Sequence, residues 1–295
     1  MKRIVTVQDV SAVGKCSLTV ALPIISAMGT ECAVIPTAVL STHTAFRGFT
    51  FCDLTDQIKP ICDHWAAQGI TFDAIYTGYL GSFEQLELVS ELIDRFGGKD
   101  CMTVIDPVMA DNGALYAGFT PEFAAAMAKL CGKADVIVPN LTEACYMLDM
   151  PYPEGGVCPP EMAEEIVRRL SKLGARYSVL TGMSSEAGRL GILAYDSVSG
   201  EMYRYESEHL PVSFHGTGDI FSSALVGGLM NGIGLFSALD VAVDYTVQCI
   251  RVTMNDPDHN WYGVNFEAAT ADLLRLLEEK RADPTPKGEL RAMLP

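Results

Sequence analysis

Basic residues are scarce. The 295-residue chain carries 21 Lys and Arg against 37 Asp and Glu, a formal net charge of -16. That balance leaves no basic patch with which to neutralise nucleic-acid phosphates or an anionic membrane surface. Long apolar runs are missing too, so no segment suits a membrane-spanning helix. The N-terminus, Met1-Lys2-Arg3-Ile4-Val5-Thr6-Val7, turns polar at Gln8-Asp9 and lacks the apolar core of a secretory signal. Among nine cysteines there is no CxxC pair. A zinc site or disulfide framework is thereby disfavoured, and reduced, buried thiols are expected. These absences point to a cytoplasmic protein with no nucleic-acid and no membrane partner. An anionic small molecule stays open, because a backbone nest or a metal can neutralise phosphate locally. No repeat or low-complexity block interrupts the chain.

What is present is ample apolar material, 49% of residues, enough for one sizeable core. Ile4–Val7, Ala33–Ala38, Ala74–Tyr76, Met102–Ile105, Val136–Val138 and Tyr177–Leu180 read as buried strands. Between them lie amphipathic stretches at Leu18–Met28, Phe83–Phe96, Pro121–Leu130 and Glu161–Leu173. This alternation predicts βαβ units and a mostly parallel sheet with helices on both faces. Gly191–Tyr195 and Met202–Glu206 read as a hairpin across Asp196–Gly200. Pro151–Pro160 is too short a loop to divide the chain. We expect a single domain over 1–280 and a frayed polar tail over 281–295. In such a sheet the chemistry belongs at the C-terminal strand ends.

Three motifs fall at such places. His215-Gly216-Thr217-Gly218-Asp219 precedes the apolar helix Ile220–Leu229. Its glycines let backbone approach a ligand, and the helix start offers free N–H groups and a positive dipole end. Asp219 can take the proton of an attacking hydroxyl, although Gly and Asp are also ordinary cap residues. Asp106-Pro107-Val108-Met109-Ala110-Asp111 follows the strand Met102–Ile105. Its two carboxylates suit Mg²⁺, and Asp-Pro equally suits a plain turn. Pro139-Asn140-Leu141-Thr142-Glu143 follows Val136–Val138, where Asn140 and Glu143 face one site or form a capping box, or both. Three such features at three strand ends are hard to explain by capping alone. Val13-Gly14-Lys15-Cys16-Ser17 imitates the end of a P-loop, but the first glycine would fall at Asp9 and Cys16 follows the lysine, so a Walker-type ATPase is disfavoured.

With these motifs in hand, the chain resembles the ribokinase superfamily, which implies a three-layer α/β/α sandwich. Ser11, Leu40-Ser41-Thr42-His43-Thr44 and Thr77-Gly78-Tyr79-Leu80-Gly81-Ser82 resemble the pyridoxal and pyridoxamine kinase branch, over residues 3 to 275. The resemblance implies ATP-dependent phosphorylation of the hydroxymethyl group of a B6 vitamer. Asp219 would be the base, and Gly216, Thr217 and Gly218 the anion hole. Asp106, Asp111, Asn140 and Glu143 would organise Mg²⁺, its waters and the ATP phosphates. Thr181 and Gly182 would meet nucleotide or a monovalent cation such as K⁺. Ser11 and Thr44 would hydrogen-bond the pyridine, with Tyr79 nearby. His43 fits the motif, but a lone His is more often structural. The resemblance also implies a homodimer. Where the family often has Ser-His after the first strand, this chain has Ser11-Ala12, and Lys15 and His215 have no assigned role. A hydroxymethylpyrimidine kinase of thiamine synthesis and a noncatalytic vitamin or nucleotide sensor on the same fold are the alternatives. Asp219 favours the first reading, because hydroxymethylpyrimidine kinases usually carry Cys there.

Overall fold

The computed structural model describes residues 1–184 and 188–292. Its strands are β1 (Arg3–Val13), β2 (Glu31–Thr42), β3 (Phe51–Asp53), β4 (Ala74–Thr77), β5 (Met102–Ile105), β6 (Ala110–Asp111), β7 (Ala114–Leu115), β8 (Val136–Ile137), β9 (Tyr177–Met183), β10 (Arg189–Asp196), β11 (Glu201–Glu208) and β12 (Glu289–Ala292). The helices are α1 (Leu18–Ala27), α2 (Thr55–Ala67), α3 (Phe83–Phe96), α4 (Pro121–Cys131), α5 (Leu141–Met147), α6 (Pro160–Ser171), α7 (Thr217–Met230), α8 (Leu235–Met254) and α9 (Thr270–Ala282).

Ten strands form one sheet in the order β12-β11-β10-β9-β8-β5-β4-β1-β2-β3, while β6 and β7 pair in a separate small hairpin. The neighbours from β2 through β1, β4, β5 and β8 to β9 run parallel. The remaining strands join antiparallel at the two margins. The parallel strands are buried on both faces, and their side chains alternate between two cores. Val5, Val7, Ile75, Ile105, Ile137 and Leu180 point into the layer of α2 to α6. Ile4, Tyr76, Val104, Val136 and Val179 point into the layer of α1, α7, α8 and α9. This is the parallel sheet with helices on both faces that the sequence pattern predicts, and the three-layer sandwich that the resemblance implies.

Several boundaries shift from those read in the sequence, β2 for one running on to Thr42, and two changes matter most. β1 does not stop where the chain turns polar: Gln8 and Asp9 stay within it, buried, and it runs on to Val13. The tail expected to fray over 281–295 instead contributes β12, whose Tyr203↔Leu290 register adds it to β11. Residues 293–295 lie outside the described residues. Among the described residues no helix is long and apolar enough to cross a membrane.

Candidate active site

The parallel strands deliver their C-terminal ends to one edge of the sheet, and the predicted residues gather there. The key turn is enforced at Gly216, which caps α7 in the left-handed region at φ 83. A Cβ there would lie 1.8 Å from the Lys15 carbonyl oxygen, so only glycine fits. Since the Ile220 N–H already bonds to the Gly216 carbonyl, helix geometry leaves the N–H groups of Thr217, Gly218 and Asp219 without intrahelical acceptors. They form an anion-receptive end beside the Asp219 carboxylate.

Asp219 is partly accessible on the site side. Desolvation pushes its carboxyl up to about 7, the Asp9 charge adds to the rise, and the Ser17 backbone N–H opposes it. Asp106 is 6% exposed and accepts the Ser222 hydroxyl at 2.7 Å, tying the end of β5 to α7. Burial raises it also to about 7; the Ser222 bond opposes that rise and the Asp219 charge adds to it.

Asn140 and Glu143 do form the capping box. The Asn140 side chain accepts from the Glu143 N–H, and Glu143 accepts from the Asn140 N–H. Glu143 does more than cap: it is 3% exposed, and its second oxygen accepts the Met109 N–H at 3.1 Å. The Asn140 amide donates to the Ala110 carbonyl. The pair therefore clamps the loop after β5 to the start of α5. Burial, then the Asp106 charge, pushes the Glu143 carboxyl well above the usual range. A bridge from Asn140 to Thr181 extends the chain of contacts to β9, where Gly182 takes φ 65.

Asp111 stands apart. It is exposed on the β6–β7 hairpin, and both its oxygens are taken by Asn112. That hairpin turns at Asn112-Gly113, both with positive φ, an Asn-Gly signal that the sequence reading did not use. Among the described residues no three His, Cys, Asp or Glu side chains converge as a metal-binding cluster. The donors present suit a Mg²⁺ held mainly by phosphate oxygens and water, with Asp106 as a protein carboxylate, rather than an all-protein cage.

On the other side of Asp219, Ser11 is buried and donates to Asp9 at 3.2 Å. Tyr79 is half-buried against Phe119. Thr44 is exposed in the turn after β2. His43 is 4% exposed, and both ring nitrogens are engaged: Nδ1 accepts from Ala45 N–H, and Nε2 donates to the Tyr262 carbonyl. Its nitrogens serve the backbone, and its face lies 4.6 Å from the His215 ring. Lys15, unassigned from sequence, is a staple: its Nζ reaches Asn265 and Glu267 at 2.9 Å each. The sequence reading missed Asp9, Cys16, Ser17 and Ser222. Cys16 is held as a thiol, pushed up to about 12 by burial and by the Asp219 charge. A hydroxyl in an apolar helix and a carboxylate inside a buried strand were the available signals for Ser222 and Asp9.

Carboxylates and free helix amides converging at the ends of parallel strands, between two helical layers, define a small-molecule kinase architecture of the ribokinase-like fold. The comparisons with known proteins agree and narrow it. The chain belongs to the phosphomethylpyrimidine kinase family, whose model matches residues 22–263. A Bacteroides thetaiotaomicron protein, described as a candidate phosphomethylpyrimidine kinase and solved with pyridoxal, is 38% identical, with TM-score 0.89 and 99% coverage of each chain. A pyridoxal kinase from Lactobacillus plantarum is 30% identical at TM-score 0.84, covering 95% of this chain and 99% of that one. The pyridoxine/pyridoxal/pyridoxamine kinase of Bordetella avium is 26% identical over 262 residues, 85% of each chain.

Proposed function

We propose that the protein is an ATP-dependent kinase that phosphorylates the hydroxymethyl group of pyridoxal, pyridoxine or pyridoxamine. The observation that carries this reading is Asp219 at the head of α7, a carboxylate lifted to about 7 beside unpaired helix amides. Phosphoryl transfer asks a protein for positioning and charge neutralisation more than for covalent chemistry. Asp219 accepts the proton of the substrate hydroxyl as its oxygen attacks the γ-phosphorus in line, and the bond from the γ-phosphorus to the β–γ bridging oxygen breaks to release ADP. The amides of Thr217, Gly218 and Asp219 meet the charge on the transferred group. Thr181 and Gly182 border the nucleotide and a monovalent cation such as K⁺. Mg²⁺ bound with the nucleotide would supply the positive charge that this acidic chain lacks, and Asp106 would be the carboxylate that holds it. Glu143 and Asn140 hold the loop that presents Asp106, and Asp111 lies at that loop's outer rim.

The vitamer assignment draws support from the named substrates of the relatives and from the pyridoxal in the Bacteroides structure. The phosphomethylpyrimidine kinase family description and the name of a hydroxymethylpyrimidine/phosphomethylpyrimidine kinase relative keep hydroxymethylpyrimidine as a second reading. An ATP-consumption assay across pyridoxal, pyridoxine, pyridoxamine and hydroxymethylpyrimidine separates them. The proposal expects turnover on the pyridines to exceed that on the pyrimidine, and the reverse order would replace it. Nine free thiols support a reducing, cytoplasmic setting. The family resemblance implies a homodimer, which sedimentation would reveal.

A further inference from the structure

Asp9 is a buried carboxylate to which the proposed reaction gives no task. It is 5% exposed, yet it is not a core ion pair. Two other buried aspartates, Asp196 and Asp240, each face a cation, Arg176 and Lys280. Among the described residues no Lys or Arg pairs with Asp9. The register slips opposite it: pairing passes from Gln8↔Pro36 to Val10↔Val39, so Asp9 alone faces two β2 residues, Thr37 and Ala38. Asp9 lies just beyond Val7↔Thr77, the last pair of β1 with β4, beside the segment that leads from β4 to Tyr79, and its charge acts on Tyr79, Cys16 and Asp219.

Its polar neighbours decide what it can bind. The Ser11 hydroxyl donates to Asp9 at 3.2 Å, and the Ser17 hydroxyl lies near enough to favour its charged form. A serine that gives its single proton to Asp9 has only lone pairs left for a ligand. The Asp9–Ser11 pair therefore presents acceptors. Lys15, the nearest cation in sequence, turns away to Asn265 and Glu267. The His43 ring keeps its proton on Nε2, directed at the Tyr262 carbonyl. A buried carboxylate without a counter-charge is costly, so the complementary proton arrives with the ligand.

We propose that Asp9 is a specificity-determining residue that receives a proton-bearing nitrogen of the substrate's aromatic heterocycle. The inference rests on the B6-kinase reading and deepens it. A 3-hydroxypyridine readily carries its proton on the ring nitrogen, leaving the charge on the phenolic oxygen. That cationic N–H matches Asp9 and Ser11.

The test is calorimetric binding to the parent, Asp9→Asn and Asp9→Ser, with pyridoxine, its carbocyclic isostere (C–H in place of the ring nitrogen) and ADP as probes. The parent should prefer pyridoxine over the isostere on the order of ten- to a hundredfold, as a charged hydrogen bond requires. Both variants should lose that preference, to within about threefold, well below a charged bond's worth. ADP affinity should stay unchanged, which also reports an intact fold. A preference that survives in both variants, or is absent from the parent, overturns the inference. So does parallel loss of ADP binding, which would make Asp9 structural. If the parent binds hydroxymethylpyrimidine and no pyridine, the B6 reading fails separately. The Asp9 inference then stands if Asp9→Asn weakens pyrimidine binding while sparing ADP, and falls if it does not.

Discussion

A carboxylate is a more effective base near neutral pH when its environment lifts its pKa toward that range, and at Asp219 desolvation does this. Two outcomes follow for Asp219→Asn. As the base, its loss should lower kcat about 10²–10⁴-fold while vitamer and nucleotide still bind. As a mere helix-start polar group it should cost almost nothing, because Asn caps as well as Asp. Steady-state kinetics beside equilibrium binding decide between them. The pH dependence has a definite sign. The base acts unprotonated, so kcat/KM in the parent should rise with pH through about 7. Stability should move the other way. Asp219 and Asp106 both sit near 7 when folded, above the ordinary carboxylate range. The folded chain then holds protons that the unfolded chain has released. That contribution is fully present below about pH 4 and is lost as pH rises through about 7. Asp219→Asn should therefore raise Tm at pH 8 relative to the parent while lowering kcat by that factor. A melting series from pH 5 to pH 8, run beside the kinetics, would reveal a variant that loses both.

At the scale of elements, function depends on how α5 and α7 begin. Gly216→Ala brings a methyl group into the Lys15 carbonyl and demands a left-handed backbone of a residue that resists it. It should cost about 1–3 kcal/mol of stability or displace the α7 start, with kcat falling more than vitamer affinity. Denaturant midpoints and kinetics on one preparation would show whether the turn is as constrained as its geometry requires. Glu143→Gln tests the other helix start. Glutamine keeps one acceptor oxygen where the carboxylate serves two backbone N–H groups. The stranded donor should cost about 1–3 kcal/mol and loosen the Asp106 loop, raising the Mg²⁺ concentration needed for half-maximal rate. An unchanged Mg²⁺ profile would reduce Glu143 to a cap. These helix starts were legible in the sequence because their residue types are nearly dictated. β5 at Met102–Ile105 and α3 at Phe83–Phe96 match their sequence expectations residue for residue. α3 is bounded by Ser82, which accepts from Gln85, and carries Arg95 in its last turn. α2 and α8 were not read. Pro60 interrupts the pattern of α2, and α8 buries every residue from Ser237 through Val243, so neither shows a clean amphipathic stripe. Asp9 escaped for a related reason: a carboxylate in an apolar strand reads as the strand's end unless something else demands it there.

At the scale of the whole molecule, the sheet's far margin is closed by the polar segment that composition alone assigned to a frayed tail. What holds it is charge and hydrogen bonding rather than apolar bulk, which is why hydrophobic periodicity missed it. Asp240 in α8 is fully buried, and its carboxylate meets the Lys280 ammonium of α9 at 2.7 Å. It also accepts the Tyr203 hydroxyl from β11 and the Lys287 N–H that leads into β12. The Gly288 N–H donates to the same Tyr203 hydroxyl, and Lys280 reaches the Thr285 carbonyl. One buried carboxylate thus fastens α8, α9, β11 and the C-terminal segment together. Lys280→Met removes its cation while keeping most of the side-chain volume. Breaking a buried pair from one side leaves an uncompensated charge and should cost about 3–5 kcal/mol. If Lys280 were instead a surface lysine with a chance contact, the loss would be under about 1 kcal/mol. Urea unfolding at pH 7.5 distinguishes these values. Because the network lies at the opposite margin of the sheet from β1 and β2, which carry the proposed vitamer side of the site, KM for vitamer in the folded variant should match the parent. A Lys280→Met protein that keeps its full stability would show that the C-terminal segment is held by some other contact. One that keeps its stability but loses vitamer affinity would show that the sheet transmits strain from this margin to the site.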